Sequence, residues 1–507
     1  MFDLASMAQG LDLLFSSPTA WVVAPVGIII GLIFGAIPGL SVPIAMAVFL
    51  PLTLYMDFLE SIIFLTAIFT GGSCGCSIPA ILMNVPGTSA AVATCFDGYP
   101  MARQGQHNRA LGVALASSTI GCAIGYFMLL GILEPLSGFV LKLGAPELFL
   151  VALTGILLIA LVTEGNFWKA VLAGCVGILL SLIGMSSAGI ERGTFGSIYL
   201  LDGIDPNAAI IGIFAASELF QLVKSDYIVR DEGKRHVSIR EIIGGMLYVR
   251  KIPRTVFTGA VIGAGLGVVP GVGSSIANIV SYTFARNLSN DPQSYGKGNP
   301  NGVAVAESAS SSSEGGSMVG LLALGLPSSA ATAIMLSAFA MHNITGGPRF
   351  ISDQKEIVYA IIAGNLLQAV MLVFIGLVFF RIAVYLVRVP VAWLLPPIIV
   401  CTVLGSYALS NSLNGPVTLV VFSALGVLMK RYNYSVVAAV IGLLLGLMME
   451  GNLVRTWQLG GGSLWPIVER PISLTIIAII IASGVGMYFF AKRRQTMNLP
   501  ETPISAG

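Results

Sequence analysis

The chain has 507 residues, 56% of them hydrophobic and only 10% charged, with a formal net charge of +2 and a mean hydropathy of +0.89. Soluble globular chains carry roughly 25% charged residues, so this composition excludes a soluble enzyme and offers no basic field for nucleic acid. Apolar runs approaching the ~20 residues that cross a bilayer as helix recur throughout, and they define an all-α polytopic membrane protein with about 11–13 transmembrane helices.

Residues 1–18 contain Asp3 and Asp12 and neither Lys nor Arg. No basic stretch leads into a cleavage site, so no removable signal peptide is expected, and this segment is expected on the periplasmic side. A first membrane repeat spans 19–223, with apolar runs at Trp21–Ile37, Leu111–Leu133, Leu148–Val162 and Ala170–Ile183. Within it lie GLIFGAIPGLSVPIA (31–45), GGSCGCS (71–77) and VPGTSAAVA (85–93). Residues 224–254 then hold Lys224, Arg230, Lys234, Arg235, Arg240, Arg250, Lys251 and Arg254 against four acids. Basic loops stay cytoplasmic, which makes this a cytoplasmic linker. A second repeat, 255–451, carries GAGLGVVPGVGSSIA (263–277), ESASSSSEGG (307–316) and LPSSAATA (326–333). Its apolar runs are Ile357–Phe380, Val391–Leu404, Val417–Leu428 and Val436–Met449. Residues 452–470, with Trp457 and Trp465, read as a periplasmic interfacial segment. A final transmembrane helix over 471–492 leads to a basic cytoplasmic tail, 493–507.

Gly31, Gly35, Pro38 and Gly39 align with Gly263, Gly267, Pro270 and Gly271. The second pair of motifs recurs in the same order. With these orientations each half crosses an odd number of times in opposite directions, so two inverted-topology repeats are expected.

A Pro-Gly at membrane depth breaks a helix, because Pro lacks the backbone donor and Gly permits unusual dihedrals. Such a break is tolerated only inside protein or beside a water-filled cavity. The half-helix that follows exposes N–H groups with partial positive charge. Four such starts, two per repeat, form an anion site if they converge, and carboxylate is the anion to expect. The candidate substrate-binding residues are Pro38, Gly39 and Ser41 at the first break, and Asn84, Gly87, Thr88 and Ser89 at the second. In the second half they are Gly271, Gly273, Ser274, Ser275 and Asn278, then Ser328, Ser329 and Thr332. GxxxG alone is more often a close-packing surface; it is the ordered recurrence that points to a site. Glu307 and Glu314 flank a serine run, where they either bind the coupling Na⁺ or H⁺ or line a solvated loop entrance.

The six cysteines fall in apolar segments, where small buried residues are the expected reading, and Cys74-Gly-Cys76 lacks the other ligands of a zinc site. No metal or cofactor is expected beyond the coupling cation. Gly71–Gly75 matches G-x-S-x-G, but the nucleophile elbow needs a strand, a turn and a helix in a soluble sheet. The three histidines, His107, His236 and His342, are expected in loops, and Glu134, Glu147, Glu164 and Glu450 at solvated span ends.

Taken together, GAIPGLSVPIAMAVFLPLT (35–53), GGSCGCSIPAILMNVPG (71–87), GVVPGVGSSIANIVSY (267–282), YGKGNPNGVAVAES (295–308) and LLALGLPSSAATAIML (321–336) resemble the large, TctA-like membrane subunit of the tripartite tricarboxylate transporters. The resemblance runs over residues 18–490. It implies a bacterial inner-membrane uptake system, not an enzyme: this chain would carry the translocation path, beside a small TctB-like membrane subunit and a periplasmic TctC-like substrate-binding protein. It also implies symport of an organic di- or tricarboxylate with Na⁺ or H⁺. Cys74, Cys76, Pro79 and the run AESASSSSEGG depart from the family pattern beside the expected pocket, which leaves the acid open. The competing readings are a passive anion channel and an intramembrane serine hydrolase.

Overall fold

A computed structural model describes residues 3–140, 142–162, 167–186, 189–217, 237–386, 395–478 and 480–481. The first half opens with α1 (Leu4–Ser16) and α2 (Pro18–Ala36), followed after a break by the short α3 (Val42–Phe49). Next come α4 (Phe58–Gly75), α5 (Ser77–Met83), a second break, α6 (Val92–Arg103) and the 34-residue α7 (His107–Val140). Then come α8 (Ala145–Val162), α9 (Phe167–Ser181), a two-stranded hairpin of β1 (Gly184–Met185) and β2 (Glu191–Arg192), and α10 (Pro206–Ile211), which runs into a π turn at Gly212–Ala216.

The second half again has two breaks between its helices. After α11 (Ile239–Tyr248) come α12 (Pro253–Gly267), a break, α13 (Gly273–Leu288), α14 (Pro300–Leu324), a break and α15 (Ala330–Met341). The short α16 (Pro348–Asp353) leads to the 32-residue α17 (Lys355–Leu386). The chain continues through α18 (Leu395–Ser410), α19 (Asn414–Arg431), α20 (Val436–Leu459) and α21 (Pro466–Glu469).

Among the described residues, five helices are long and apolar enough to span a membrane: Pro18–Ala36, Phe58–Met83, His107–Leu133, Lys355–Ala383 and Val436–Leu459. Shorter apolar helices fill in around them. The molecule is an all-α, multi-pass membrane protein. Residues 218–223 of the first repeat, 224–236 of the basic linker, most of the final helix and the whole basic tail lie outside the described residues; 471–478 is helical.

Glycines set the closest helix contacts, and both halves use them alike. A Cβ on Gly31 would strike the Ile68 carbonyl of α4, and one on Gly71 would strike Ile28 of α2. In the second half a Cβ on Gly263 would meet Ala309 and one on Gly267 would meet Ser313, both on α14. The GxxxG part of the repeated motif therefore packs α2 on α4 and α12 on α14, where small residues let backbones approach. The halves also interlock: α14 packs along α7, α1 lies on α17 and α9 lies on α20.

The largest departure from the sequence reading is α14. The run Ser308–Ser313 reads as a polar approach, yet it is buried helix in the middle of the bundle. The Oγ atoms of Ser308, Ser312 and Ser313 donate to carbonyls three residues back, so the hydroxyls are satisfied within the helix. A loop entrance for Glu307 and Glu314 is thereby excluded. Glu147 is likewise buried, not solvated; it takes hydrogen bonds from the Gly144 N–H, Arg470 and Ser473. Glu450 pairs with Arg192 at 2.6 Å. His107 opens α7, and His342 ends α15, where its Nε2 lies 2.9 Å from Ser61 Oγ; His236 is outside the described residues. Four cysteines are buried, but Cys175 and Cys401 face outward.

Candidate functional site

The first breaks of the two halves are the same turn. Pro38 is followed by Gly39 at φ +88°, and the Leu40 N–H donates to the Ile37 carbonyl at 3.1 Å. Pro270 is followed by Gly271 at φ +81°, and the Val272 N–H donates to the Val269 carbonyl at 3.2 Å. Pro followed by a residue at positive φ is the signature of a type II turn. The second breaks also match. Each preceding helix ends on a left-handed residue, Asn84 at φ +59° and Gly325 at φ +66°. Each following element starts from an extended residue, Thr88 or Ser329.

These four breaks converge on one cavity of about 470 Å³. The first contributes Ser41, Val42 and Pro43, and the second Thr88, Ser89 and Ala90. The third contributes Gly271 through Ile276, including Ser274 and Ser275. The fourth contributes Ser328, Ser329, Ala330 and Ala331. Phe69 and Ser73 of α4, Phe214 of the π turn and Val437 complete the wall. No Lys, Arg, His, Asp or Glu is among the lining residues. The volume is that of a small-molecule site.

Short bonds tie the breaks together. The Gly271 N–H donates to the Ser328 carbonyl at 2.9 Å, and Ser89 Oγ lies 2.6 Å from Ser275 Oγ across the two halves. Ser41 makes no side-chain cap for α3, and neither α6 nor α13 has a side-chain cap. In α6 the Ala93 N–H is taken by Asn278 Oδ1; at α3 and α13 no side chain caps the first turn, whose N–H groups are left for another acceptor. At α15 the cap is closed: Ser329 and Thr332 exchange hydrogen bonds, with the Ser329 N–H donating to Thr332 Oγ1 at 2.9 Å. Ser328 Oγ is buried on the cavity wall with no partner. A buried hydroxyl left unsatisfied is costly, and one at a cavity wall is available to a ligand.

Several candidates from the sequence sit behind this wall. Pro38 and Gly39 shape the first turn. Gly87 packs where a Cβ would meet the Gly35 carbonyl and Cys76. Asn84 ends α5 and is exposed. Gly273 lines the cavity at φ +53°. Asn278 is fully buried and joins the halves, with Oδ1 accepting from the Ala93 N–H at 2.8 Å and Nδ2 donating to the Ala306 carbonyl at 3.1 Å. Thr332 acts through the α15 cap. Phe69, Phe214 and Val437 are additions the sequence did not flag, since an apolar residue in an apolar run carries no mark. Ser73 belongs to the G-x-S-x-G match, but Gly71–Gly75 is the last turn of α4, not a strand-to-helix elbow.

Glu307 and Glu314 lie behind the cavity on α14, both fully buried. Thr94 donates to Glu307 Oε1 at 2.5 Å and Ser118 to Oε2 at 2.9 Å. Thr70 and Tyr126 donate to Glu314 Oε1 at 2.8 and 3.0 Å. Thr70 sits on α4 next to Phe69, which lines the cavity, while Thr70 itself is turned to Glu314.

Fold and site together define a polytopic membrane protein with broken helices meeting at a small, uncharged, hydroxyl-lined cavity, the arrangement found in membrane transport proteins. The chain belongs to the tripartite tricarboxylate transporter TctA family, whose family model matches residues 22–441. It is one component of a multi-part membrane transporter. It is 32% identical over 464 residues, 91% of each chain, to an uncharacterized 52.8 kDa protein in the TAR-I ttuC' 3' region of Agrobacterium vitis. It is also 30% identical over 217 residues, 43% of this chain and 90% of the other, to an uncharacterized protein in the TAR-II ttuC' 3' region of the same organism. No solved structure matches.

Proposed function

We propose that this chain is the translocation subunit of a binding-protein-dependent secondary transporter that imports an organic di- or tricarboxylate by symport with Na⁺ or H⁺. The carrying observation is the meeting of four helix starts, two from each half, on one cavity that lacks charged side chains. Uncapped N–H groups and the free Ser328 hydroxyl are donors suited to carboxylate oxygens, and helix starts favour negative charge without a buried cation. Substrate would sit between the two halves. An inverted relation of those halves gives each a matching route to one face, and alternating access then moves the cavity relative to the rest. A small membrane subunit and a periplasmic binding protein complete the system under this reading, with the N-terminus periplasmic and the C-terminus cytoplasmic in a bacterial inner membrane.

The test is uptake by proteoliposomes holding the chain with both partners, across labelled mono-, di- and tricarboxylates, with inward Na⁺ and H⁺ gradients applied separately. Concentrative uptake of an acid under one gradient is expected. Downhill flux with no response to either gradient would instead support a passive anion channel.

A further inference from the structure

Two helices at the basic end of the bundle carry the same outward pattern. One side of α11 is fixed to α7: Ile242 and Gly245 are buried, and a Cβ on Gly245 would strike the Arg109 carbonyl. Its other side exposes Ile243 and Leu247 one turn apart, with Gly244 facing open space beside them. One tight turn, Val249–Lys251, joins α11 to α12 and exposes Arg250 and Lys251. From there α12 keeps its glycine face on α14 and exposes Arg254, Phe257 and Val261, at i, i+3 and i+7 of one stripe.

The three cations at this turn are uncompensated. Among the described residues, none of Arg250, Lys251 and Arg254 forms an ion pair. Glu241, the acid of α11, is turned to α7, where its Oε2 accepts from Asn108 Nδ2 at 2.7 Å. The neighbouring Arg109 stacks over the Tyr248 ring, 4.4 Å from its centroid. Concentrated positive charge attracts an anion, and the stripes specify its kind. On α12, Phe257 and Val261 follow Arg254 about 5 and 10 Å further along the axis, toward the cavity. A soluble acidic partner would meet the charges and leave those side chains in water. A phospholipid meets both, with its phosphate at the charges and its acyl chains on the apolar residues beneath.

We propose that the outer faces of α11 and α12 bind an anionic phospholipid, its phosphate held by Arg250, Lys251 and Arg254 and its acyl chains laid along the exposed apolar residues of the two stripes. Arg offers paired N–H donors to a phosphate, and Lys adds a point charge. Because α12 leads into the Pro270-Gly271 turn, the lipid braces a helix that positions part of the cavity wall.

The experiment measures binding of labelled phosphatidylglycerol and the matching phosphatidylcholine to the full chain in neutral detergent at fixed ionic strength, with and without its small membrane subunit. Phosphatidylglycerol is expected to bind about fivefold tighter or more, the effect of one added Lys or Arg near a charged headgroup. R250Q/K251Q/R254Q should lose that preference, R254Q alone should lose part of it, and R286Q/K297Q, at the same end of the bundle, should keep it. F257S/V261S should weaken both lipids. Equal affinity of wild type for the two lipids would overturn the proposal, as would a preference that survives the triple substitution and R254Q. Loss of the preference in R286Q/K297Q would overturn it in favour of diffuse surface charge. Displacement of the lipid by inorganic phosphate would overturn it in favour of a free-anion site, and loss of lipid binding on adding the small subunit would assign the face to a protein. Should the triple variant fail to fold, R254Q and the wild-type comparison still decide.

Discussion

Three buried polar residues near the cavity separate binding from support. The Ser328 Oγ makes no hydrogen bond among the described residues, so Ser328→Ala removes a donor that only a ligand uses. Hydrogen bonds to charged groups contribute roughly 1.5–3 kcal/mol, so substrate affinity should fall about tenfold or more. Melting temperature should hold or rise; equilibrium binding and thermal unfolding of the same sample check both. Thr332→Val should do the reverse, opening the Ser329 cap at about 1 kcal/mol of stability, with a smaller effect on affinity. Asn278→Leu abolishes two buried bonds, one of them across the halves, and leaves the Ala93 N–H stranded at about 1–3 kcal/mol; the variant should unfold at lower temperature. At this scale the sequence was legible for the serines and threonines that follow each break, because Pro and Gly punctuate the chain. It was silent on which hydroxyls cap and which face inward, since that depends on where the other half places its atoms.

The helices divide the repeated motif into two jobs. Its GxxxG portion packs helix on helix, and its Pro-Gly portion turns the chain toward the cavity. Gly267→Val must push into the Ser313 carbonyl, whereas Gly265 has open space beside it. Overpacking costs about 1–3 kcal/mol, so Gly267→Val should lower the melting temperature and Gly265→Val should not. Equal behaviour of the two would deny the packing role. The apolar spans of the sequence match α2, α7, α8, α9, α17, α18, α19 and α20. Among those that escaped was α14, because four consecutive serines, Ser310–Ser313, lower hydropathy without preventing a helix in which hydroxyls bond back to its own carbonyls. The burial of Glu307 and Glu314 was hidden for the same reason.

For the molecule as a whole, the interlocking of the halves places each break beside one from the other half. Gln104 Nε2 donates to the Lys297 carbonyl, and Arg109 lies over Tyr248 of α11, so Arg103, Arg109, Arg250 and Lys251 gather at one end of the bundle. Basic ends face the cytoplasm. A cysteine replacing Lys297 should therefore react with impermeant thiol reagents only from the cytoplasmic side, and one replacing Gly461 only from the opposite side. The order of the motifs in the sequence is what sets the two halves apart. Their interlocking was not legible, because it is made by backbone contacts at glycines.

The central claim is that both halves hold one carboxylate in one cavity. Ser41 and Ser274 line that cavity from opposite halves. With the outward-facing Cys175 and Cys401 replaced, Ser41→Cys and Ser274→Cys should each be alkylated in the reconstituted complex. The transported acid should slow both reactions with the same half-maximal concentration. Unchanged alkylation of either cysteine at an acid concentration that saturates uptake would contradict the account.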